Sequence, residues 1–260
     1  MPETMARAPD EDKPRMPNPT AAMLTIGDEI LAGRTQDTNM PHLARALAEA
    51  GIDLRETRVV GDVADEIVAA VNALRSRWDH VFTSGGIGPT HDDITADSIA
   101  AAFGVGIDVR EDARAILATN YADPEKDLNE ARLRMARIPD GAALIDNPVS
   151  KAPGFTLGNV HVMAGVPSVF KAMVAGLVPT LTGGAPLLSG TLRVDVPEGV
   201  IAGPLRDVAE AHPEVSIGCY PFNMGGALGA NLVARATDAA ALDSAMDALR
   251  RMAAEMAVAR

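Results

Sequence analysis

The stretch Thr83-Ser84-Gly85-Gly86-Ile87-Gly88-Pro89-Thr90-His91-Asp92-Asp93-Ile94-Thr95 places two chemistries side by side. Ser84, Gly85, Gly86 and Gly88 make a turn whose backbone N–H groups can approach an anion with no Cβ in the way. The turn follows an apolar strand pattern and precedes a helical one. The helix N-terminus therefore adds a partial positive charge, worth roughly 0.3–1 kcal/mol at an exposed site. Phosphate is the natural guest. Asp92 and Asp93 add carboxylate oxygens beside it, an arrangement that suits a divalent cation bridging carboxylates and phosphate oxygens. His91 is a candidate phosphate donor, and Lys151 could neutralise a diphosphate. Plainer readings stand beside these: a glycine turn with an Asp N-cap, a solvated Asp92, and surface positions for His91 and Lys151.

The surrounding pattern predicts the elements that would hold this turn. Ala21 to Ile26 reads as a buried strand ending at Gly27. Asn39 caps a helix beginning near Met40 and closed by Gly51. A second strand spans Arg55 to Val60 and stops at Gly61-Asp62. Ala64 to Arg75 carries Ile67, Val68, Val71 and Leu74 at helical spacing. Asp79 to Thr83 is a third strand that runs into the glycine turn, and a helix begins near Ile94. This alternation calls for an α/β fold, a three-layer α/β/α arrangement around a mostly parallel sheet. In such sheets ligands bind at the C-terminal ends of the strands. Residues 110–136 read as helical with a break at Asp123-Pro124. Leu144-Ile145 and Gly154 to Met163 read as strands, with a hairpin at Gly158-Asn159, and Val169 to Leu177 as a helix. After a Gly- and Pro-containing linker at 182–186 the order becomes β-α-β-β-α, a small α+β module over 187–260. Residues 1–20, rich in Pro and charge, read as a disordered arm; the main domain covers 21–181.

Composition narrows the class. The chain has 260 residues, 47% hydrophobic but only 3% aromatic, so its core is built from Ala, Val, Leu, Ile and Met. Its net charge of −12 opposes nucleic-acid phosphates, and no basic stripe or aromatic series suggests otherwise. A single cysteine, Cys219, rules out an internal disulfide and reads as a buried, inert thiol. Trp78 reads as packing. There is no apolar run of membrane-spanning length and no secretory signal, so the expected location is the cytoplasm.

The motifs together resemble the Mog/MoaB-type molybdopterin-binding domain, whose hallmark is a T-x-GG-x-G turn followed by Asp and Thr. The similarity is greatest to the N-terminal domain of the competence/damage-inducible CinA family, a domain also found in eukaryotic FAD synthases. Further segments follow in the family's order: Gly27-Asp28-Glu29-Ile30-Leu31 with Asp37-Thr38-Asn39, then Val59-Val60-Gly61-Asp62. Asn147-Pro148-Val149 with Ala152-Pro153-Gly154-Phe155, and Ala164-Gly165-Val166-Pro167, complete a match over about residues 22–180. Ser216 to Pro221 is similar to a motif of the family's second module. The resemblance implies the molybdopterin-binding domain fold, with Gly85, Gly86 and Gly88 as phosphate cradle. It assigns Asp93 to metal and catalysis, Asp62 to a second functional carboxylate, and Asp28 and Glu29 to the polar end of the first strand. Gly165 and Pro167 would line the opposite wall, and Asn39 would contact ligand. From the residues alone, Asp62 could instead cap the helix after Val63, Asn39 its own helix, and Asp28 and Glu29 a turn.

Two departures stand out. Met163-Ala164-Gly165 replaces the Leu-Pro-Gly of many relatives, and Lys151 stands where they have a smaller or neutral residue. The C-terminal deamidase domain of full-length CinA proteins is not expected, nor is nicotinamide-mononucleotide deamidation. The resemblance implies a metal-dependent pyrophosphatase (Mg²⁺, Mn²⁺ or Co²⁺) acting on an ADP-ribose- or FAD-like diphosphate. Two alternatives stay open: molybdopterin adenylyl transfer, and a non-catalytic pterin- or nucleotide-binding module. The expected partners are a small phosphorylated ligand and further copies of the chain, with no nucleic acid and no membrane.

Overall fold

The computed structural model describes residues 17–225 and 227–258. The chain divides into two compact units, 1–184 and 185–260. The first unit runs β1 (Thr20–Ile26), α1 (Asp28–Leu31), α2 (Asn39–Glu49), β2 (Asp53–Val60), α3 (Ala64–Arg75), β3 (His80–Ser84) and α4 (Thr95–Phe103). It continues with β4 (Ile107–Val109), α5 (Glu111–Ala118), α6 (Pro124–Asp127), α7 (Glu130–Leu133), β5 (Arg137–Pro139), β6 (Ala143–Ile145), β7 (Gly154–Leu157), β8 (Val160–Met163) and α8 (Pro167–Leu177).

Six strands form one sheet in the order β2-β1-β3-β8-β7-β6. β2, β1, β3 and β8 are parallel neighbours, and β7 runs antiparallel to both β8 and β6. Successive side chains leave a strand on opposite faces, and the sequence supplies apolar residues to both. Ala22, Leu24, Ile26, Val81 and Val162 pack with Ile67, Val71 and Leu74 of α3 and Ile99 of α4. Ala21, Met23, Phe82 and Met163 pack with Leu43 and Leu47 of α2 and Phe170, Met173 and Val174 of α8. Helices thus cover both faces and bury the central strands β1, β3 and β8, as a mostly parallel sheet requires, while the edge strand β2 stays partly exposed.

On the α2/α8 side the start of β3 meets β8 through two histidines. His80 Nδ1 lies 3.2 Å from His161 Nε2, and Thr156 Oγ1 lies 3.0 Å from His161 Nδ1. The Phe82 ring sits 4.9 Å from the His161 ring. His161 is 3% exposed, and burial, helped by His80, pulls its imidazole down to about 4.

Several expectations meet their structure here. The helix over Ala64–Arg75 and the hairpin at Gly158-Asn159 form as read. Gly51, with φ of 69°, follows α2 in the left-handed conformation that only glycine adopts freely. The helical span 110–136 is broken into three short helices and a 3₁₀ turn at Arg134–Ala136, with Pro124 starting α6. The β4–β5 pair was not foreseen, because two strands of three residues carry no readable alternation. Residues 1–16 of the expected arm lie outside the described residues. At its end, Asn18 donates to Asp53, while the Thr20 backbone N–H and hydroxyl donate to Asp79 at 2.8 and 2.6 Å. Thr20 therefore begins β1 rather than ending an arm.

The second unit contains β9 (Leu188–Val194), α9 (Glu198–Ala211), β10 (Ser216–Met224), β11 (Ala227–Ala236) and α10 (Ala239–Val258). Its antiparallel sheet has the order β10-β11-β9. Val194, Ile201, Leu232, Ala245 and Leu249 form its core. Cys219 is half-buried, and burial, then Glu198, pushes its thiol up, which disfavours the reactive thiolate. Among the described residues no helix is long and apolar enough to cross a membrane.

Candidate functional site

The C-terminal ends of β1, β3 and β8 converge on the glycine turn. Gly85 and Gly86 have φ of 111° and 67°. A Cβ on Gly85 would strike the Ile26 carbonyl oxygen, and one on Gly86 would strike Thr95 Oγ1. The fully buried Thr95 locks the turn from behind: its Oγ1 donates to Gly85 O and its N–H to Gly86 O, both at 2.9 Å. The opposite wall reaches equally close, since a Cβ on Gly165 would lie 3.1 Å from Gly85 Cα. The two walls therefore touch backbone to backbone.

Asn39 ties these walls together. Its Nδ2 donates to Ser84 Oγ at 2.8 Å and to Gly165 O at 2.7 Å. Its Oδ1 is buried with no hydrogen-bond partner. The expectation that Asn39 caps α2 is thus corrected. Asp37 does so instead, Oδ1 accepting from the N–H groups of Asn39 and Met40 at 2.8 and 3.1 Å, while its Oδ2 accepts from Thr25 Oγ1. An Asp two residues before a helix start satisfies the same orphan amides, so the chemistry was right and the residue wrong. Asn39 and Ser84 line a side recess of about 50 Å³.

The main cleft has a volume of about 720 Å³. Gly85, Gly86 and Gly88 line it, as do Gly165 and Pro167 across the way. Glu29, Asp62, Asp92 and Asp93 line it too. Asp93 does not cap α4, whose preceding residue is Ile94. Its Oδ2 accepts from the Thr90 N–H at 2.8 Å and from the Thr90 hydroxyl, closing the turn 90–93 and fixing the carboxylate beside Gly88. Asp62 does not cap α3 either. It accepts at 3.0 Å from the N–H of Asp28, the first residue of α1. Burial pushes the Asp62 carboxyl above its usual range against that hydrogen bond, and Asp28, Glu29 and Asp92 add like charge.

Of the sequence candidates, Asn39 and Ser84 line only the side recess, and three more stand apart from the cleft surface. Asp28 offers its N–H to Asp62 and is not among the cleft-lining residues. His91 is almost fully exposed, its ring 3.9 Å from Asp92. Lys151 adopts φ of 59° with its N–H on Asn147 O, and it does not line the cleft although its neighbours Ser150 and Ala152 do. The residue that shapes that loop is Asn147, 1% exposed. Its Nδ2 donates to Ser150 Oγ and Ala152 O, and its Oδ1 accepts from the N–H groups of Val149 and Ser150. Asn147-Pro148 was visible as a motif, but its role as an internal Asx brace was not. Val166 and the first residues of α8, Pro167 to Val169, also line the cleft; Pro167 has no N–H, so Ser168 and Val169 are the first-turn residues whose amides have no intrahelical acceptor.

Among the described residues no three His, Cys, Asp or Glu side chains gather as a protein-only metal cage. Asp92 and Asp93 beside an amide cradle do fit a hard cation that takes its remaining ligands from phosphate and water, the usual habit of Mg²⁺.

Residues 22–183 match the family described as "Probable molybdopterin binding domain", well over half of the chain. The chain belongs to the molybdopterin-binding domain family. Within it this domain is CinA-like. A CinA-like protein of Desulfosudis oleivorans is 34% identical over 76% of this chain, which spans about half of that relative's length. A protein of Pyrobaculum calidifontis is 36% identical, covering 78% of this chain and 81% of its own. The solved structure of CinA from Thermoplasma acidophilum, itself of unknown function, superposes with a TM-score of 0.56 at 38% identity, over 60% of this chain and 94% of that one. Residues 186–260, after the molybdopterin-binding domain, match the middle domain of FAD synthase.

Proposed function

We propose that the cleft hydrolyses the phosphoanhydride bond of a nucleotide diphosphate of the ADP-ribose or FAD type, with a divalent cation. One observation carries this reading: Asp62 and Asp93 flank a glycine amide cradle in a single cleft of about 720 Å³, a size suited to a ligand larger than a mononucleotide. The match of residues 186–260 to a domain of FAD synthase supports the nucleotide side of it.

The chain's own parts divide the work. Amides of Gly85 to Gly88 hold non-bridging phosphoryl oxygens and stabilise the charge that grows on them. Asp92, and the Asp93 oxygen left free by Thr90, would hold Mg²⁺, Mn²⁺ or Co²⁺, which when bound supplies Lewis acidity to the phosphoryl group. Asp62, with a raised pKa, accepts the proton of the attacking water at the oxygen that does not face Asp28. The water oxygen bonds to phosphorus, the bridging P–O bond breaks with its electrons, and AMP and a second phosphate monoester leave. The exposed Val149 and Val166 give the rest of the ligand an apolar surface.

A second reading, adenylyl transfer to molybdopterin, is favoured by the family match over 22–183. The test incubates wild type and Asp93→Ala with ADP-ribose, with FAD, and with ATP plus molybdopterin, across metals, and separates the products. AMP from a dinucleotide with wild type alone supports hydrolysis. Adenylylated pterin transfers the assignment to the second reading. Ligand bound without turnover in any metal overturns both in favour of a binding module.

A further inference from the structure

Behind the cleft, Gly88 and Asp93 also wall a hollow of about 10 Å³, with Asp97, Arg134 and Arg137 on its other sides. The two spaces share Ile87, Gly88, Asp93 and Met135, so they abut along the glycine turn. Such a volume is about that of one oxygen atom or one water.

The two arginines differ. Arg137 is satisfied: its Nη1 and Nη2 grip the two oxygens of Asp97 at 2.9 and 2.7 Å. Arg134 donates from Nη2 to the backbone oxygen of Asp93 at 3.0 Å, and its Nε is buried with no acceptor. None of the ion pairs among the described residues includes it. A guanidinium stays charged at any physiological pH, and a buried donor without an acceptor is rare enough to call for an explanation. The main cleft poses the complementary problem. Four carboxylates line it and no Lys, Arg or His does. The adjoining hollow supplies what the cleft lacks, since Arg134 lines it and Arg137 beside it is already paired with Asp97.

We infer that Arg134 recognises an anionic oxygen of the ligand: one non-bridging oxygen of a phosphoryl group enters the hollow past Gly88 and accepts from Arg134 Nε. The class of ligand is a phosphate or pyrophosphate ester, and its phosphoryl end lies toward Arg134. Because Arg134 also holds the backbone of Asp93, filling the hollow draws phosphate and carboxylate to the same support. This deepens the reading of the cleft as a phosphorylated-ligand site and rests on it. The competing occupant is a water molecule.

The test uses the full chain labelled with ¹⁵N and follows the arginine Nε–H resonances while inorganic pyrophosphate with Mg²⁺ is added. Assignment by through-bond correlation to the backbone makes this arm independent of any variant. The Arg134 Nε–H resonance should move in step with pyrophosphate and stay still with adenosine. Arg134→Lys keeps a charge but not the fork, and should weaken pyrophosphate binding at least tenfold, leaving adenosine binding unchanged. The inference is overturned, and the hydrolase reading left intact, if pyrophosphate binds while Arg134 Nε–H stays fixed, or binds both proteins equally. It falls together with that reading if wild type binds neither pyrophosphate nor any nucleotide with Mg²⁺, Mn²⁺ or Co²⁺.

Discussion

Replacing His161 by Gln should change how the first unit responds to acid more than how stable it is at neutral pH. The native ring is buried at 3% exposure and takes up a proton only near pH 4, against 6.5 for a free imidazole. Between those values the unfolded chain binds a proton that the native chain refuses, so unfolding is favoured as pH falls. The sign is that of a depressed folded pKa: the contribution is fully present above about pH 6.5 and is lost on the way down to about pH 4. At about 1.4 kcal/mol for each pH unit of displacement, the loss approaches ~3 kcal/mol. His80, 3.2 Å away, shares part of that cost, so this is an upper figure. Trp78, the chain's one tryptophan, lies in the first unit and reports its unfolding by fluorescence. Urea titrations of wild type and His161→Gln at pH 4, 5, 6, 7 and 8 give the difference in stability directly. That difference should shift by ~2–3 kcal/mol in the variant's favour from pH 7 to pH 4 and be flat above pH 7. A difference that stays constant within ~0.5 kcal/mol across the series would refute the buried, neutral imidazole.

Gly85→Ala, forced into φ of 111° against the Ile26 carbonyl, should lower stability by at least ~2 kcal/mol and abolish nucleotide binding; thermal melts and calorimetric titration read both. Asn39→Ala removes two donors but also an orphaned acceptor, so its stability cost should be near ~1 kcal/mol. The same variant frees the Gly165 wall, and ligand affinity should fall severalfold in the same titration. With ADP-ribose or FAD as substrate, the acid limb of the rate profile should lie above the ordinary Asp range, because Asp62 must be ionised and its pKa is raised; Asp62→Asn should lose that limb along with most of the rate. Leu249→Ala, at 0% exposure in the second unit's core, should cost ~2–5 kcal/mol in that unit's stability, measured by hydrogen exchange of the β11 amides.

Much of the fold was legible because period and punctuation agreed. Ile67, Val71 and Leu74 repeat at helical spacing between Gly61-Asp62 and the turn after Arg75, and α3 fills that interval. β4 and β5 failed the same test, since three residues carry no period. At the site, the glycine turn and the membership of Glu29, Asp62, Asp92 and Asp93 in one cleft could be read from sequence and resemblance. What each polar group does with its hydrogen bonds could not. Asp62 and Asp93 read as helix caps, yet neither caps the helix that follows it, while Asp37 does so for α2 in place of Asn39. Asn39, Asn147 and Arg134 act across 126, 5 and 41 residues of chain. Arg134 in particular sits in a helical stretch where an arginine reads as surface, and only the approach of Asp93 from elsewhere gives it an inward task.

The paired histidines and the glycine turn occupy opposite ends of the same two strands. His80 opens β3 and Ser84 closes it, roughly 13 Å further on at about 3.3 Å per residue. Groups that far apart with no shared partner perturb the protein almost independently. The sheet therefore offers two separate dials to selection and to engineering. Substitutions at the histidine end can retune acid tolerance without reshaping the cleft, and substitutions around the turn can redirect ligand choice without spending that tolerance. A lineage moving between habitats of different pH could change the one while keeping its chemistry.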